Sequence, residues 1–73
     1  MAAPRKRSVS IRGHRTSFSV EDAFYVEVQR LARESGQPLG QYIAEIDRLR
    51  EPDENLSSAI RLHVLHNLKR RTR

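Results

Sequence analysis

Between Ser8 and Val20 apolar and polar side chains alternate with period two, and the alternation changes phase around Gly13. Val9 and Ile11 are apolar at odd positions, whereas Thr16, Phe18 and Val20 are apolar at even ones. The stretch is rich in β-branched and hydroxyl residues and reads as strand. One straight strand cannot keep both sets on one face, because successive side chains point to opposite sides. Two geometries remove the conflict. A two-residue Gly13-His14 turn of type II′ would fold the stretch into a hairpin, glycine taking the first central position. Val9 would then face Phe18 and Ile11 face Thr16 on one side. Ser8 with Ser19, Ser10 with Ser17 and Arg12 with Arg15 would share the other. Alternatively, a bulge at Gly13 would leave one long bent strand. The hairpin is preferred, but it sets two guanidinium groups opposite each other.

The rest of the chain has helical periodicity. Ser19 is a good N-cap residue with Asp22 three positions on, and Val20, Phe24, Val28 and Leu31 form one stripe ending before Gly36. Pro38 suits the first position of a second helix, whose face is Leu39, Tyr42, Ile43, Ile46 and Leu49. Asn55 is the expected cap of a third, with Leu56, Ala59, Ile60, Val64 and Leu68 inward. The expected organisation is a disordered basic arm over 1–7 and one domain over 8–70. Within it lie a β element at 8–19 and helices at 20–35, 38–50 and 55–70.

Charge is unevenly placed. The net charge is +5, yet residues 16–67 hold nine acids against five bases. Arg5, Lys6, Arg7, Arg12 and Arg15 crowd the first fifteen residues, and Lys69, Arg70, Arg71 and Arg73 the last six, with no acid in either stretch. Basic ends on an acidic body suit a polyanion, through release of condensed counterions. At 73 residues with no cysteine, a single core is small and no disulfide can reinforce it, which leaves dimerisation as the route to stability.

The residues argue against an enzyme, and no cofactor is expected. His63 and His66 are three apart on a helix, a spacing that can hold a metal, but no third ligand is evident. Gly13, Gly36 and Gly40 are the only glycines, and no nucleophile elbow or phosphate loop exists. The longest apolar run is Ala23 to Val26, far short of a membrane span, so a cytoplasmic, nucleoid-associated protein without membrane contact is expected.

A short polar strand before two helices joined through a glycine, in a basic chain, resembles the ribbon-helix-helix family of the methionine-repressor and Arc type. The stretch from Arg7 to Phe24, with Asn55 to Arg61, is similar to a subgroup of short stand-alone bacterial members. The resemblance implies a mainly α fold with a short N-terminal β element: a ribbon-helix-helix dimer, here with an additional C-terminal helix. It also implies strands of two subunits paired antiparallel and placed in the DNA major groove. Arg15, Ser17 and Ser19 match the outward positions that touch base edges, and Thr16, Phe18 and Val20 the inward ones. The amides around Leu39, Gly40 and Gln41 match the helix start that clamps a phosphate.

Arg5, Lys6, Arg7, Arg12, His14, Gly40 and Gln41 are accordingly expected at phosphates, and Phe18, Val20, Phe24, Tyr42, Ile43 and Ile46 in a dimer core. The expected function is a homodimeric, sequence-specific DNA-binding protein regulating transcription from double-stranded DNA. The alternatives are a protein-interaction module of antitoxin or adaptor type, docking a partner through the third helix, or a non-specific nucleic-acid binder. Three features depart from the family pattern. Pro38 and Gly40 stand where it commonly has Ser or Thr, Ser8 to Arg12 is an extra strand, and the third helix is additional.

Overall fold

A computed structural model of the chain describes residues 3–71; the first two and last two residues are not described. Strands β1 (Arg5–Ile11) and β2 (His14–Val20) form an antiparallel hairpin, followed by helices α1 (Asp22–Glu34), α2 (Leu39–Leu49) and α3 (Leu56–Arg71). The fold is mainly helical, with a two-stranded ribbon at the N-terminus and an additional helix at the C-terminus.

The hairpin resolves the phase change, but its turn is Arg12-Gly13 rather than Gly13-His14. Both central residues have positive φ, 52° at Arg12 and 80° at Gly13, which is the type I′ geometry whose twist matches the flanking strands. Ile11 faces His14, Val9 faces Thr16 and Arg7 faces Phe18, while Ser8 faces Ser17 and Ser10 faces Arg15. The expected pairs are therefore displaced by two positions. A displacement of two keeps every side chain on its face, because the strand period is two. The shift also moves Arg12 into the turn, so it no longer stands opposite Arg15.

Val9, Ile11, Phe18 and Val20 bury the inner face of the ribbon on the helices. β1 begins at Arg5, inside the segment expected to be an arm, because Arg5 pairs with Val20 and Arg7 with Phe18. The same pairing corrects the start of α1. Val20 is fully buried in β2, so Ser19 stays in the strand and the extended Glu21 takes the N-cap without a side-chain bond. Burial and ladder pairing of Val20 outweigh the capping preference of one serine.

Helix α1 ends in a Schellman motif. Gln37 N–H donates to Ala32 C=O and Gly36 N–H to Arg33 C=O, with Gly36 at φ 73°. In α2, Ile43 and Ile46 are buried and Pro38 is the N-cap. The chain turns extended at Arg50, ahead of Glu51-Pro52. Asn55 caps α3 as expected, its Oδ1 accepting from Ser58 N–H at 2.8 Å. Leu56, Ala59, Ile60 and Val64 are buried on the inner side of α3, whereas Leu68, expected with them, is 38% exposed. No helix among the described residues is long and apolar enough to cross a membrane.

Candidate nucleic-acid interface

The outer face of the ribbon carries Lys6, Ser8 and Ser10 from β1 and Arg15, Ser17 and Ser19 from β2, all exposed. They fall in three cross-strand pairs: Lys6 with Ser19, Ser8 with Ser17 and Ser10 with Arg15. The result is a comb of hydroxyl donors and acceptors with a cation near each end. Arg12, Gly13 and His14 extend it past the turn, also exposed. Arg15, Ser17 and Ser19 were expected at base edges and do share one face. Ser8, Ser10 and the side chain of Lys6 join them from β1. The sequence had signalled the two serines through the same alternation, with only the choice of cross-strand partners misplaced.

Main-chain chemistry differs along β2. A two-residue turn makes its flanking pair the hydrogen-bonded one, so the N–H and C=O groups of Arg15, Ser17 and Ser19 point away from β1. At Ser19 both are taken by α3: its N–H donates to Ser57 Oγ at 2.9 Å and its C=O accepts from the Arg61 guanidinium at 3.3 Å. Arg61 also pairs with Glu21. A hydrogen bond from its own backbone N–H and the one from Arg61 lower the Glu21 pKa. Nothing in the sequence pattern marked Ser57 and Arg61 as partners of the strand, because the contact spans about forty residues.

The residues expected at phosphates separate into two groups. Lys6, Arg12 and His14 are exposed on the ribbon or its turn. Arg5 is exposed but ion-paired to Asp22 at 3.4 Å. Arg7 is turned inward: its side chain is only 14% exposed, it pairs with Asp22, and its guanidinium carbon lies 4.1 Å from the centre of the Tyr25 ring. Its Nε is buried without a hydrogen-bond partner. The hydrogen bond from Arg7 is the main cause that lowers the Asp22 pKa. Arg7 thus holds β1 to α1, a cation–π and ion-pair role the sequence did not announce.

Gly40 and Gln41 sit at the start of α2, lining a groove with Ser10, Arg12, Pro38, Ala44 and Glu45. A Cβ on Gly40 would lie 2.6 Å from the Ser10 carbonyl oxygen, so the absence of a side chain is what lets α2 reach the strand. The first turn of α2 has no side-chain cap and no acid, leaving its orphan N–H groups beside Arg12. Glu45 at the rim is held by Arg48, whose hydrogen bond lowers its pKa.

The six residues expected in a dimer core all pack within one chain. Phe18, Val20, Ile43 and Ile46 are buried, and Phe24 and Tyr42 lie half-buried against them. The Tyr42 hydroxyl is 2.5 Å from His63 Nε2, and Asn67 Nδ2 is 3.3 Å from the same atom. Two donors on one nitrogen fit a His63 that accepts there, and burial lowers its pKa, helped by His66 and Arg70. Among the described residues no group of three or more side chains is placed to hold a metal ion.

The model of one family, described as Ribbon-helix-helix domain, matches residues 4–68. No curated protein and no solved structure matches the chain. The match runs from the first strand through the hairpin and two helices into α3, nearly the whole chain, which therefore belongs to the ribbon-helix-helix domain family.

Proposed function

We propose that the chain is a sequence-specific DNA-binding regulator that works as a homodimer and lays the outer face of its β1–β2 ribbon in the major groove. The observation that carries this reading is the exposed comb of Lys6, Ser8, Ser10, Arg15, Ser17 and Ser19 on a two-stranded ribbon. Membership of a family whose fold is of the DNA-binding regulator type supports it. Strands about 4.8 Å apart make a ribbon that the roughly 12 Å major groove admits. Each chain supplies both strands itself, so insertion does not depend on pairing strands between subunits.

Arg15 donates to a guanine edge, and Ser17 and Ser19, with Ser8 and Ser10 opposite, address neighbouring bases. Lys6, Arg12, His14 and the amides of Gly40 and Gln41 take phosphates, which set register and salt dependence. Arg5 contributes once Asp22 releases it, and Arg7 stays with the fold. A regulator of this kind acts at the nucleoid.

Binding to a selected operator tests the division of roles. Arg15→Ala should weaken specific binding by about 1–3 kcal/mol and relax choice at one base position. Lys6→Ala should weaken binding to all sequences alike and lower the salt slope by about one. Equal loss on specific and random DNA for Arg15→Ala would contradict the base-reading role.

A further inference from the structure

We propose that Ser57 and Arg61 of α3 are positioning residues for base reading. They hold the main chain of Ser19, fix its hydroxyl on the comb, and so set base choice at the end of the ribbon away from the turn. The inference rests on the DNA-binding reading above and extends it to two residues that lie outside the ribbon.

The three β2 residues of the comb are held differently. Ser19 stands opposite Lys6 in a pair without main-chain hydrogen bonds, so β1 gives it no such support. Helix α3 supplies it instead. Ser19 N–H donates to Ser57 Oγ at 2.9 Å, and Ser19 C=O accepts from Arg61 Nη2 at 3.3 Å. Among the described residues, no side chain ties the main chain of Arg15 or Ser17 in this way.

Arg61 does more than close one bond. Its Nε donates to Glu21 Oε1 at 3.1 Å, and its guanidinium carbon lies 5.9 Å from the centre of the Phe24 ring. One planar group therefore spans the end of β2, the junction residue and the first turn of α1. A lysine ammonium is a point charge without that fork. Ser57 and Arg61 are one helical turn apart and share a face of α3. The residues before them, Leu56 and Ile60, are buried in the core, and Asn55 caps the helix end that carries Ser57. The place of Ser19 is thus referred to the helical core.

A serine hydroxyl can address any base edge, so its choice depends on where it is held. The side chain is short, and the main chain decides its reach. A contact already in place loses less to ordering when DNA binds. Freeing Ser19 should therefore lower discrimination at its base position about fivefold.

Selection from a random duplex library tests this with the full-length chain, Ser19→Ala, Ser57→Ala and the double variant. Ser19→Ala marks the position that Ser19 reads. Ser57→Ala should lose preference at that same position, keep the position that depends on Arg15, and add nothing in the Ser19→Ala background. Ser57→Thr should restore the preference. Arg61→Lys should show the same loss. Exchange of the Ser19 amide should quicken about tenfold in Ser57→Ala with far-UV circular dichroism unchanged. A Ser19→Ala protein that loses no position, or a Ser57→Ala protein with unaltered preference, would overturn the proposal. So would a Ser57→Ala loss shared by all sequences or additive with Ser19→Ala, which marks a role in stability alone. Failure of the DNA reading looks different: the unsubstituted chain itself selects no sequence, and the positioning role goes with it.

Discussion

Individual residues set the terms of this fold where backbone or burial leaves little choice. Arg12 occupies the left-handed region at φ 52°, a conformation that costs a β-carbon-bearing residue about 1 kcal/mol and that asparagine tolerates best. Arg12→Asn, which creates the Asn-Gly pair preferred in type I′ turns, should raise stability by roughly 0.5–1 kcal/mol in urea unfolding. The same variant should bind DNA more weakly, having lost a cation at the turn. Gly40→Ala should act the other way. Alanine favours a helix by about 1 kcal/mol, but its Cβ would meet the Ser10 carbonyl, which is main chain and cannot swing aside. A net loss of about 1–3 kcal/mol is expected, and a stabilised Gly40→Ala protein would contradict the close approach of α2 to β1. His63 supplies a pH signature. Burial holds its pKa below the ordinary 6.5 in the folded chain, so the unfolded chain takes up the proton first as pH falls. Its contribution is complete above pH 6.5 and is lost as pH drops through the depressed folded value. Melting temperature should therefore decline on going from pH 7 towards 5, and His63→Gln should flatten that decline. An equally steep decline in the variant would remove His63 from the account. The lowered carboxylates Glu21, Asp22, Glu34 and Glu45 add their loss at lower pH, with the same sign.

At the scale of elements, the two faces of the ribbon were legible because period-two patterning depends only on parity. The turn position was not, since a displacement of two residues preserves both faces while changing every partner. Arg12 opposite Arg15 was the clue, and the Arg12-Gly13 turn removes that pairing. The α1 stripe from Phe24 to Leu31, the α2 stripe as far as Ile46, the Gly36 stop and the Asn55 cap also followed from local chemistry. Val20, by contrast, belongs to β2, and Leu49, expected on the inner face of α2, is 66% exposed where the helix ends. Ser19 misled because its capping preference is local, whereas the strand that keeps it is fixed by Val20 in the core and by Ser57 and Arg61 from α3. The inward turn of Arg7 was equally hidden: a charge run gives no sign that one guanidinium will lie over Tyr25. Within the candidate site, the outward trio of Arg15, Ser17 and Ser19 was readable from β2 alone. Its completion by Lys6, Ser8 and Ser10 needed the register.

For the whole molecule, the small core explains why an apolar surface survives on α3. Phe18, Val20, Ile43 and Ile46 are buried within the chain and Phe24 and Tyr42 are half-buried, whereas Val26, Leu49, Leu62, Leu65 and Leu68 stay exposed. Two ribbons on one dimer would read a symmetric site, with basic residues at the ribbon ends supplying sequence-independent affinity that falls steeply with salt. The central claim is that the ribbon face reads base sequence, and selection from a random duplex library with the full-length chain at near-physiological salt tests it most directly. Enrichment of an inverted repeat, with one position relaxed by Arg15→Ala, is the predicted result. Retention of DNA without any enriched sequence would contradict the claim.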